Sequence, residues 1–580
     1  MPTYQTALQS RTDLEKYKDN ALLLFTLQLR FEIEDIDAVA TDSLTDGRDD
    51  KKCDLVYVDQ ERRVAVVAQG YYCQKSNLPS EAPANKASDL NTAIAWLLAT
   101  PIDQLPAQLQ SAATELRSAL ENNEIDSIEF WYSHNLPESE NVRKELAAVE
   151  RSARNTLSKV IPERADLRVV GLELGVSETD NLYKSLITPI LVSDKLTIPV
   201  EKGFSTSAAD WETFITTIPA EWLHRIFSKY GSNLFSANIR GYLGSRNGDA
   251  NINNGIKQTA QNEPDYFCIF NNGITAITHR FQHDEESSIL ELTGISIVNG
   301  AQTTGAIGNL TVPPSEDATI QARFIVCTNP STIKNVIRYN NSQNKVEATD
   351  FRSNDVVQVR LVSEFENIPN AEYLGGRRGG SEDVIRRRAN LLPSGTVGQA
   401  LTAFHGDPVN AYNNKSKIWK NNGLYGQVFH ARTTAKHIVF VYSLYELLDE
   451  FKRQLVDKQK KGKLTQVETE QLNFFRHRGS TTLATTAIAS CLEVILDQQI
   501  PDLFNLSFGG ISPDKAKSIW QEILVPVVSL ISQLTPAVEK GLKGQSLTNS
   551  TISTFRSLIN ATRAANHDAY EKFKSQAMIS

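Results

Sequence analysis

The chain has 580 residues, which is too long for one hydrophobic core, so a multidomain protein of two to four domains is expected. Its net charge of -8, from 60 basic and 68 acidic residues, excludes a protein that is basic throughout, and any nucleic-acid contact needs a local basic patch. Five widely spaced cysteines without a CxxC pair exclude a disulfide framework and a cysteine zinc site, and they favour the reducing cytoplasm. The polar start of the chain predicts no signal peptide, and the short apolar runs predict no membrane contact.

Residues 1–192 are predicted to form one domain in which helices and strands alternate. A helix over 14–35 precedes two β-branched runs, 54–58 and 63–69, which the turn 59–62 joins into a hairpin. The following elements are a helical stretch over 86–120 that is broken near Pro101 and Pro106, a strand at 125–133, a helix at 138–159 and a strand at 167–174. This order predicts a mixed sheet flanked by helices.

Two further domains are predicted from changes in composition. Residues 193–410 are rich in Asn and Gly and indicate an α+β domain. Its strands are expected at 267–270, 274–278, 289–292, 295–298 and 320–327, and its helices at 302–310 and 331–341. Residues 411–580 show helical periodicity almost throughout. The apolar faces of these helices favour core packing or contact between copies of the chain, so a homo-oligomer is one interpretation.

Asp54 and Gln69 are the candidate metal ligands of the first domain. Asp54 begins the first strand of the hairpin and Gln69 ends the second, so the two side chains are expected to lie side by side. Carboxylate and amide oxygens suit a hard cation such as Mg²⁺. Glu34, on the first predicted helix, could complete the metal shell. The alternative interpretation is a hairpin with one solvated Asp and one solvated Gln.

This arrangement resembles that of PD-(D/E)XK nucleases, including members with Gln in place of the second acid. The lysine that the motif carries two residues later is Tyr71 here, so a cation that would offset transition-state charge is missing. Lys75 on the next loop and Lys86 at the next helix start are candidate catalytic substitutes. The resemblance implies a restriction-endonuclease-like mixed sheet and a Mg²⁺-dependent phosphodiester hydrolysis, with the catalytic lysine in doubt.

A series of Asn- and Gly-containing motifs carries a second resemblance. These motifs, in chain order, are 238–244 (NIRGYLG), 253–256 (NNGI), 263–264 (EP), 270–275 (FNNGIT), 297–304 (IVNGAQTT) and 340–346 (NNSQNKV) with Asp350. Their order resembles the AIPR (abortive infection phage resistance) family, over at least residues 230–430. The acidic stretch 45–54 is similar to the segment before this hairpin in the N-terminal domain of that family. The resemblance implies a bacterial anti-phage defence protein that acts on nucleic acid, with a partner from the same defence operon.

Two turns of the second domain are candidate binding sites for a nucleotide. At the strand-to-helix turn, Gly300 permits a positive φ or a close backbone approach. Free N–H groups at the following helix start favour an anion. The candidate ligand-binding residues are Arg240, Asn271, Asn272, Gly273, Asn299, Gly300, Gln302, Thr303, Asn340 and Gln343. The alternative is that these Asn-Gly pairs are ordinary hairpin turns.

The turn at Asn299 is also similar to the DGQHR motif of the ParB/sulfiredoxin-like superfamily. Asn299 replaces the Asp of that motif, and Thr303 with Thr304 replaces its His-Arg pair. Because the basic pair is absent, the likeness implies nucleotide binding and leaves hydrolysis in doubt. No P-loop motif, GxSxG or HExxH occurs, which excludes those sites at the level of motifs.

The densest basic stretch of the chain is a candidate nucleic-acid contact. Arg377 and Arg378 lie between glycine pairs, and the run 386–388 follows; the alternative is a solvated loop. Two functions stay open for the whole chain. One is an effector enzyme, in which the AIPR core controls a metal-dependent nuclease-like domain. The other is an inactive sensor that recognises a nucleotide, modified DNA or a phage component and acts through partners.

Overall fold

The computed structural model describes residues 4–45, 47, 49–75, 79–164, 166–187, 190–238, 250–315, 317–340, 352, 355–376, 390–539 and 541–579. Over these residues the protein is a mixed α/β structure with two large mixed sheets, followed by a helical C-terminal region. The predicted α/β class with a helical C-terminal region is therefore confirmed at this level. The domain boundaries at 192 and 410 stay predictions.

The first sheet has four strands in the order β1-β2-β3-β4. The strands are β1 (Leu55–Asp59), β2 (Val64–Tyr71), β3 (Ser127–His134) and β4 (Arg168–Leu174). The first two form the predicted antiparallel hairpin, whereas β3 and β4 continue the sheet in parallel. The helices of this part are α1 (Tyr4–Gln9), α2 (Ala21–Phe31), α3 (Ile36–Ser43), α4 (Ala84–Ser88), α5 (Leu90–Ile94), α6 (Ala107–Glu121), α7 (Glu140–Val160) and α8 (Val176–Ile187). One face of the sheet packs on α2, and the other face packs on α4 to α7.

The second sheet has seven strands in the order β5-β10-β8-β11-β7-β6, with β9 paired to β10. The strands are β5 (Val192–Pro199), β6 (Gly203–Ser207), β7 (Trp211–Pro219), β8 (Ile274–Ile277), β9 (Arg280–Asp284), β10 (Ile289–Asn299) and β11 (Thr319–Cys327). The pair β8 and β11 is parallel, and the other pairs are antiparallel. The accompanying helices are α9 (Ala220–Tyr230), α10 (Ala250–Asn262), α11 (Pro264–Phe270), α12 (Ala301–Gly308) and α13 (Pro330–Asn340).

The remaining described chain is helical apart from the two-residue strands β12 (Leu506–Ser507) and β13 (Met578–Ile579). Its helices are α14 (Val356–Phe365), α15 (Ser394–Phe404), α16 (Pro408–Asn413), α17 (Lys415–Lys420), α18 (Asn422–Val428), α19 (Ala435–Lys460), α20 (Gln466–Phe475), α21 (Ser480–Leu496), α22 (Pro513–Val528), α23 (Thr535–Val538), α24 (Gln545–Ala561) and α25 (His567–Lys574). They share one apolar core. Among the described helices none is by itself long and apolar enough to cross a membrane, and two bent pairs reach that length and composition only together.

Three sequence predictions of elements are wrong in detail. The run 267–270 is part of helix α11, because Pro264 occupies a first-turn position where its missing N–H costs nothing. The two strands expected at 289–298 are one strand, β10, with an irregularity at Gly294, where φ is +72°. The helix expected over 14–35 begins only at Ala21, after 3₁₀ turns over Thr12–Asn20.

Candidate functional site

The hairpin brings Asp54 and Gln69 together at the end of the first sheet. The pairing of Leu55 with Ala68 puts the residue before Leu55 opposite the residue after Ala68. The Oδ2 atom of Asp54 accepts the backbone N–H of Gly70 at 2.8 Å. Gln69 is only 5% exposed, and its Oε1 atom has no hydrogen-bond partner among the described residues. A buried acceptor without a partner is costly, so this oxygen suits a ligand beside the Asp54 carboxylate.

Two aromatic residues share this face with Gln69, because side chains alternate along a strand. Tyr71 is half-buried two positions further along β2. Tyr132 pairs with Gln69 across β2 and β3, and its buried hydroxyl also lacks a partner among the residues that the structure describes. Burial and the nearby Cys73 raise the pKa of Tyr71. Tyr71 is therefore neutral at neutral pH and supplies no cation in the position of the missing lysine.

A buried pair that the sequence analysis missed, His134 and Glu173, lies beside these residues on the same face, where His134 pairs with Tyr71 and Glu173 with Tyr132. The Nδ1 atom of His134 accepts the N–H of Leu136 at 3.3 Å, so its Nε2 carries the proton and donates to Glu173 Oε1 at 3.2 Å. The same carboxylate oxygen accepts the N–H of Ser139 at 3.0 Å, at the start of α7. The imidazole is fully buried, so the pair holds the ends of β3 and β4 together. The only sequence signal was the polar alternation at the end of β3.

Glu34 lies just after the end of helix α2, and its part in the metal shell stays a prediction. Helix α2 begins beside Gly70, where Leu23 Cβ lies 3.7 Å from the position of an added Cβ. It ends at the hairpin turn, where Arg62 donates to the carbonyl of Phe31 at 2.6 Å. The 11 residues of α2 therefore span about 16 Å, and Glu34 follows the end of the helix that meets the hairpin turn.

The two candidate lysines occupy separate positions near the end of β2. Lys75 is exposed on the segment after that strand, and Lys86 is half-buried in α4. Within the described part of the chain, no group of three or more His, Cys, Asp or Glu side chains could hold a metal ion. Mg²⁺ at Asp54 and Gln69 would therefore complete its shell with water and phosphate oxygens, as this ion commonly does.

In the second sheet, the two Asn-Gly turns lie against each other. Gly273 and Gly300 have φ angles of +78° and +88°. A Cβ added to Gly300 would lie 2.7 Å from the carbonyl oxygen of Gly273. The Oδ1 atom of Asn271 accepts both the N–H of Gly273 and the hydroxyl of Thr303, each at 3.2 Å. The sequence offered a positive φ or a close backbone approach at Gly300, and the structure shows both.

Arg323 on β11 links this pair of turns to Asn340, and the sequence analysis did not single it out. Its Nη2 donates to Asn340 Oδ1 at 2.6 Å and to Thr275 Oγ1 at 3.2 Å. Thr275 pairs in turn with Asn299 across β8 and β10. The available signal was one charged residue inside the otherwise apolar end of a strand. The result is a polar cluster at one end of the sheet, with a cation in its wall.

The remaining predicted ligand residues lie at the rim of the cluster or outside the described residues. Asn272 and Asn299 are exposed, and Gln302 is half-buried in the first turn of α12. The other four predicted residues, which lie outside the described residues, are Arg240, Gln343, Arg377 and Arg378. A binding role for all of these residues stays a prediction.

The family model described as AIPR protein matches residues 235–570, more than half of the chain. This chain belongs to the AIPR family. Membership indicates abortive infection, an anti-phage defence, as the general role of this AIPR protein. Neither a curated protein nor a solved structure matches the chain. The matched span contains both Asn-Gly turns and Arg323, whereas Asp54 and Gln69 precede it.

Proposed function

We propose that this AIPR protein is a defence effector whose N-terminal sheet is a PD-(D/E)XK-like, metal-dependent nuclease domain under the control of the AIPR region. One observation carries the proposal. Gln69 Oε1 is buried without a partner among the described residues, directly beside the Asp54 carboxylate on the hairpin. A mixed four-stranded sheet with helices on both faces supports the same interpretation.

In this proposal Asp54 and Gln69 hold Mg²⁺, which would supply a Lewis acid for phosphodiester hydrolysis. The chain's own residues set the limits of the reaction. The N–H of Gly70 orients the Asp54 carboxylate through the 2.8 Å hydrogen bond. Neutral Tyr71 takes the position where the PD-(D/E)XK motif has a lysine. Nuclease activity is therefore expected to be low unless Lys75 or Lys86 supplies the positive charge.

The test is a cleavage assay on duplex DNA, single-stranded DNA and RNA with Mg²⁺ or Mn²⁺. Asp54→Ala is expected to abolish cleavage, whereas the control Asp103→Ala, at an exposed carboxylate, leaves it unchanged. Tyr71→Lys is expected to raise cleavage because it restores a cation on the Gln69 face. Cleavage that persists both in EDTA and in Asp54→Ala would place the chemistry elsewhere and reject the proposal.

The second candidate function is a sensor without catalysis, and the contact of Gly273 with Gly300 favours it. Amide side chains beside Arg323 suit the base and phosphate of a nucleotide better than a bare metal ion. Calorimetry with ATP, CTP and short oligonucleotides tests this function on the wild type and on the double variant Asn272→Ala, Gln302→Ala. Binding heat that is measured with the wild type and lost in the double variant would support the sensor function. If the wild type binds none of them, the turns are structural.

A further inference from the structure

Two elements cover the outer edge of the first sheet. Next to Asp54 the segment after α3 covers it, where Leu44 forms a bridge with Leu55 and the N–H of Thr45 donates to the carbonyl oxygen of Asp54 at 2.9 Å. Further along the edge the C-terminal helices cover it. Strand β1 is the terminal strand of that sheet, and the backbone groups on the outer side of such a strand need other partners. Arg478, in the turn between α20 and α21, supplies one of them. Its Nη2 donates to the carbonyl oxygen of Val56 at 2.6 Å. Val56 is two residues from Asp54, so this contact reaches the strand that carries the candidate site.

Arg478 is anchored on a second element of the N-terminal region, helix α6. Its backbone N–H donates to Ser111 Oγ at 2.7 Å, and its Nη1 forms an ion pair with Glu115. Tyr412 donates to the same carboxylate at 3.0 Å. Arg478 is only 5% exposed, and burial lowers its pKa to about 10. The buried guanidinium of Arg478 therefore links the turn between α20 and α21 to both β1 and α6, so a movement of this turn displaces its partners on those elements.

Two further ion pairs between the two regions have the same arrangement of charges. The N-terminal region contributes acids and the C-terminal region contributes bases. Lys452 bonds Asp42 at 2.9 Å, and Lys420 bonds Glu61 at 2.7 Å. Lys452 is 6% exposed, which shields this pair from the screening that weakens surface ion pairs. All three basic residues lie inside the matched span 235–570, and their acidic partners lie before it.

We propose that the C-terminal helices control the candidate nuclease site by clamping β1, with Arg478 as the positioning residue. This inference rests on the proposed function, because it names the regulation of the same site. A shift of α20 and α21 away from the first sheet breaks the bond to Val56. It thereby loosens the strand that begins after Asp54. The alignment of Asp54 with Gln69 then depends on the local hydrogen bonds of Asp54 alone and is weakened. A signal received in the AIPR region reaches the N-terminal domain through this contact.

The experiment is hydrogen–deuterium exchange on the full chain, read at the peptides that contain β1 and the end of β2. Arg478→Ala is expected to speed exchange there at least tenfold while β3 and β4 keep the wild-type rate. Arg478→Lys keeps the charge but cannot hold Val56 and Glu115 together, so it is expected to speed exchange as well. The matched control is Arg476→Ala, whose guanidinium donates to Asn473 on its own helix at 2.8 Å.

Wild-type exchange of β1 in a folded Arg478→Ala protein would overturn the clamp. If that variant does not fold, Arg478→Lys decides, and unchanged exchange of β1 in it has the same meaning. Exchange does not depend on catalysis, so the two proposals fail separately. If β1 exchanges faster in the variants but the wild type never cleaves nucleic acid, the contact of Arg478 with β1 is supported and the nuclease proposal is rejected. Cleavage by the wild type with unchanged exchange in both variants keeps the nuclease and rejects the clamp.

Discussion

Gly300→Ala is expected to destabilise the second sheet strongly, because the substitution meets two separate obstacles. The φ of +88° is left-handed, which costs an L-residue about 1–2 kcal/mol. The new Cβ would also lie 2.7 Å from the carbonyl oxygen of Gly273 and 2.8 Å from Ile274 Cγ2. Relief of these contacts requires movement of backbone, at the usual overpacking cost of about 1–3 kcal/mol. The expected loss of unfolding free energy is therefore about 2–5 kcal/mol.

Substitutions at two other glycines distinguish the cost of the positive φ from the cost of the close contact. The measurement is unfolding in urea, followed by circular dichroism. Gly462 has a φ of +66° and nothing within 4 Å of an added Cβ, so Gly462→Ala measures the left-handed cost alone. Gly395 lies in α15 with open space and no positive φ, so Gly395→Ala is expected to cost nothing. If Gly300→Ala loses no more stability than Gly462→Ala, the close approach of the two turns is refuted.

Two buried titratable groups predict opposite responses to pH. Burial lowers the pKa of His437 from 6.5 to about 4. As the pH drops, the unfolded chain therefore takes up a proton at His437 before the folded protein does. The free energy of unfolding is expected to fall by about 3 kcal/mol between pH 6.5 and 4. Melting temperatures between pH 7 and 4 check this, and a wild-type curve as flat as that of His437→Gln would contradict it. Burial beside Asp42 raises the pKa of Asp449 from 3.8 to about 7, so stability falls as pH rises through that window. Asp449→Asn is expected to stabilise the protein at pH 8 by up to about 4 kcal/mol and hardly at pH 4, and equal effects at both pH values would count against it.

Local features of the sequence predicted the first sheet well. Two β-branched runs around a short turn specify a hairpin, and the hairpin alone determines that Asp54 faces Gln69. The run 267–270 failed because a four-residue apolar stretch has no distinguishing period. Pro264, at the first helical turn, was the signal to use. The strands β5 to β7 were not predicted. β6 is exposed along its whole length and shows no apolar alternation, whereas parts of β5 and β7 do alternate between buried and exposed residues.

The candidate sites depended more on contacts that lie far apart in the chain. The Asn-Gly turns were found because a turn with a positive φ favours glycine, and this preference is visible in the local sequence. The pattern of a helix does not reveal which of its ends meets a given strand, so the sequence alone does not decide whether Glu34 reaches Asp54. Arg478 reaches Val56 across 422 positions, and no spacing in the sequence encodes that pairing. Arg323 was missed for a similar reason, because its partners Thr275 and Asn340 lie on two other elements.

The order of strands in the second sheet has a consequence for how the chain folds during synthesis. β11 lies between β8 and β7, although it is the last of the seven strands to leave the ribosome. Until residue 327 emerges, the hairpin of β6 and β7 has no neighbour in common with β10 and the strands β8 and β9 that pair with it. Each then exposes the edge that β11 later covers, and unpaired edges are open to wrong pairing. The joining of the two halves is therefore a late, non-local step, which is expected to be slow.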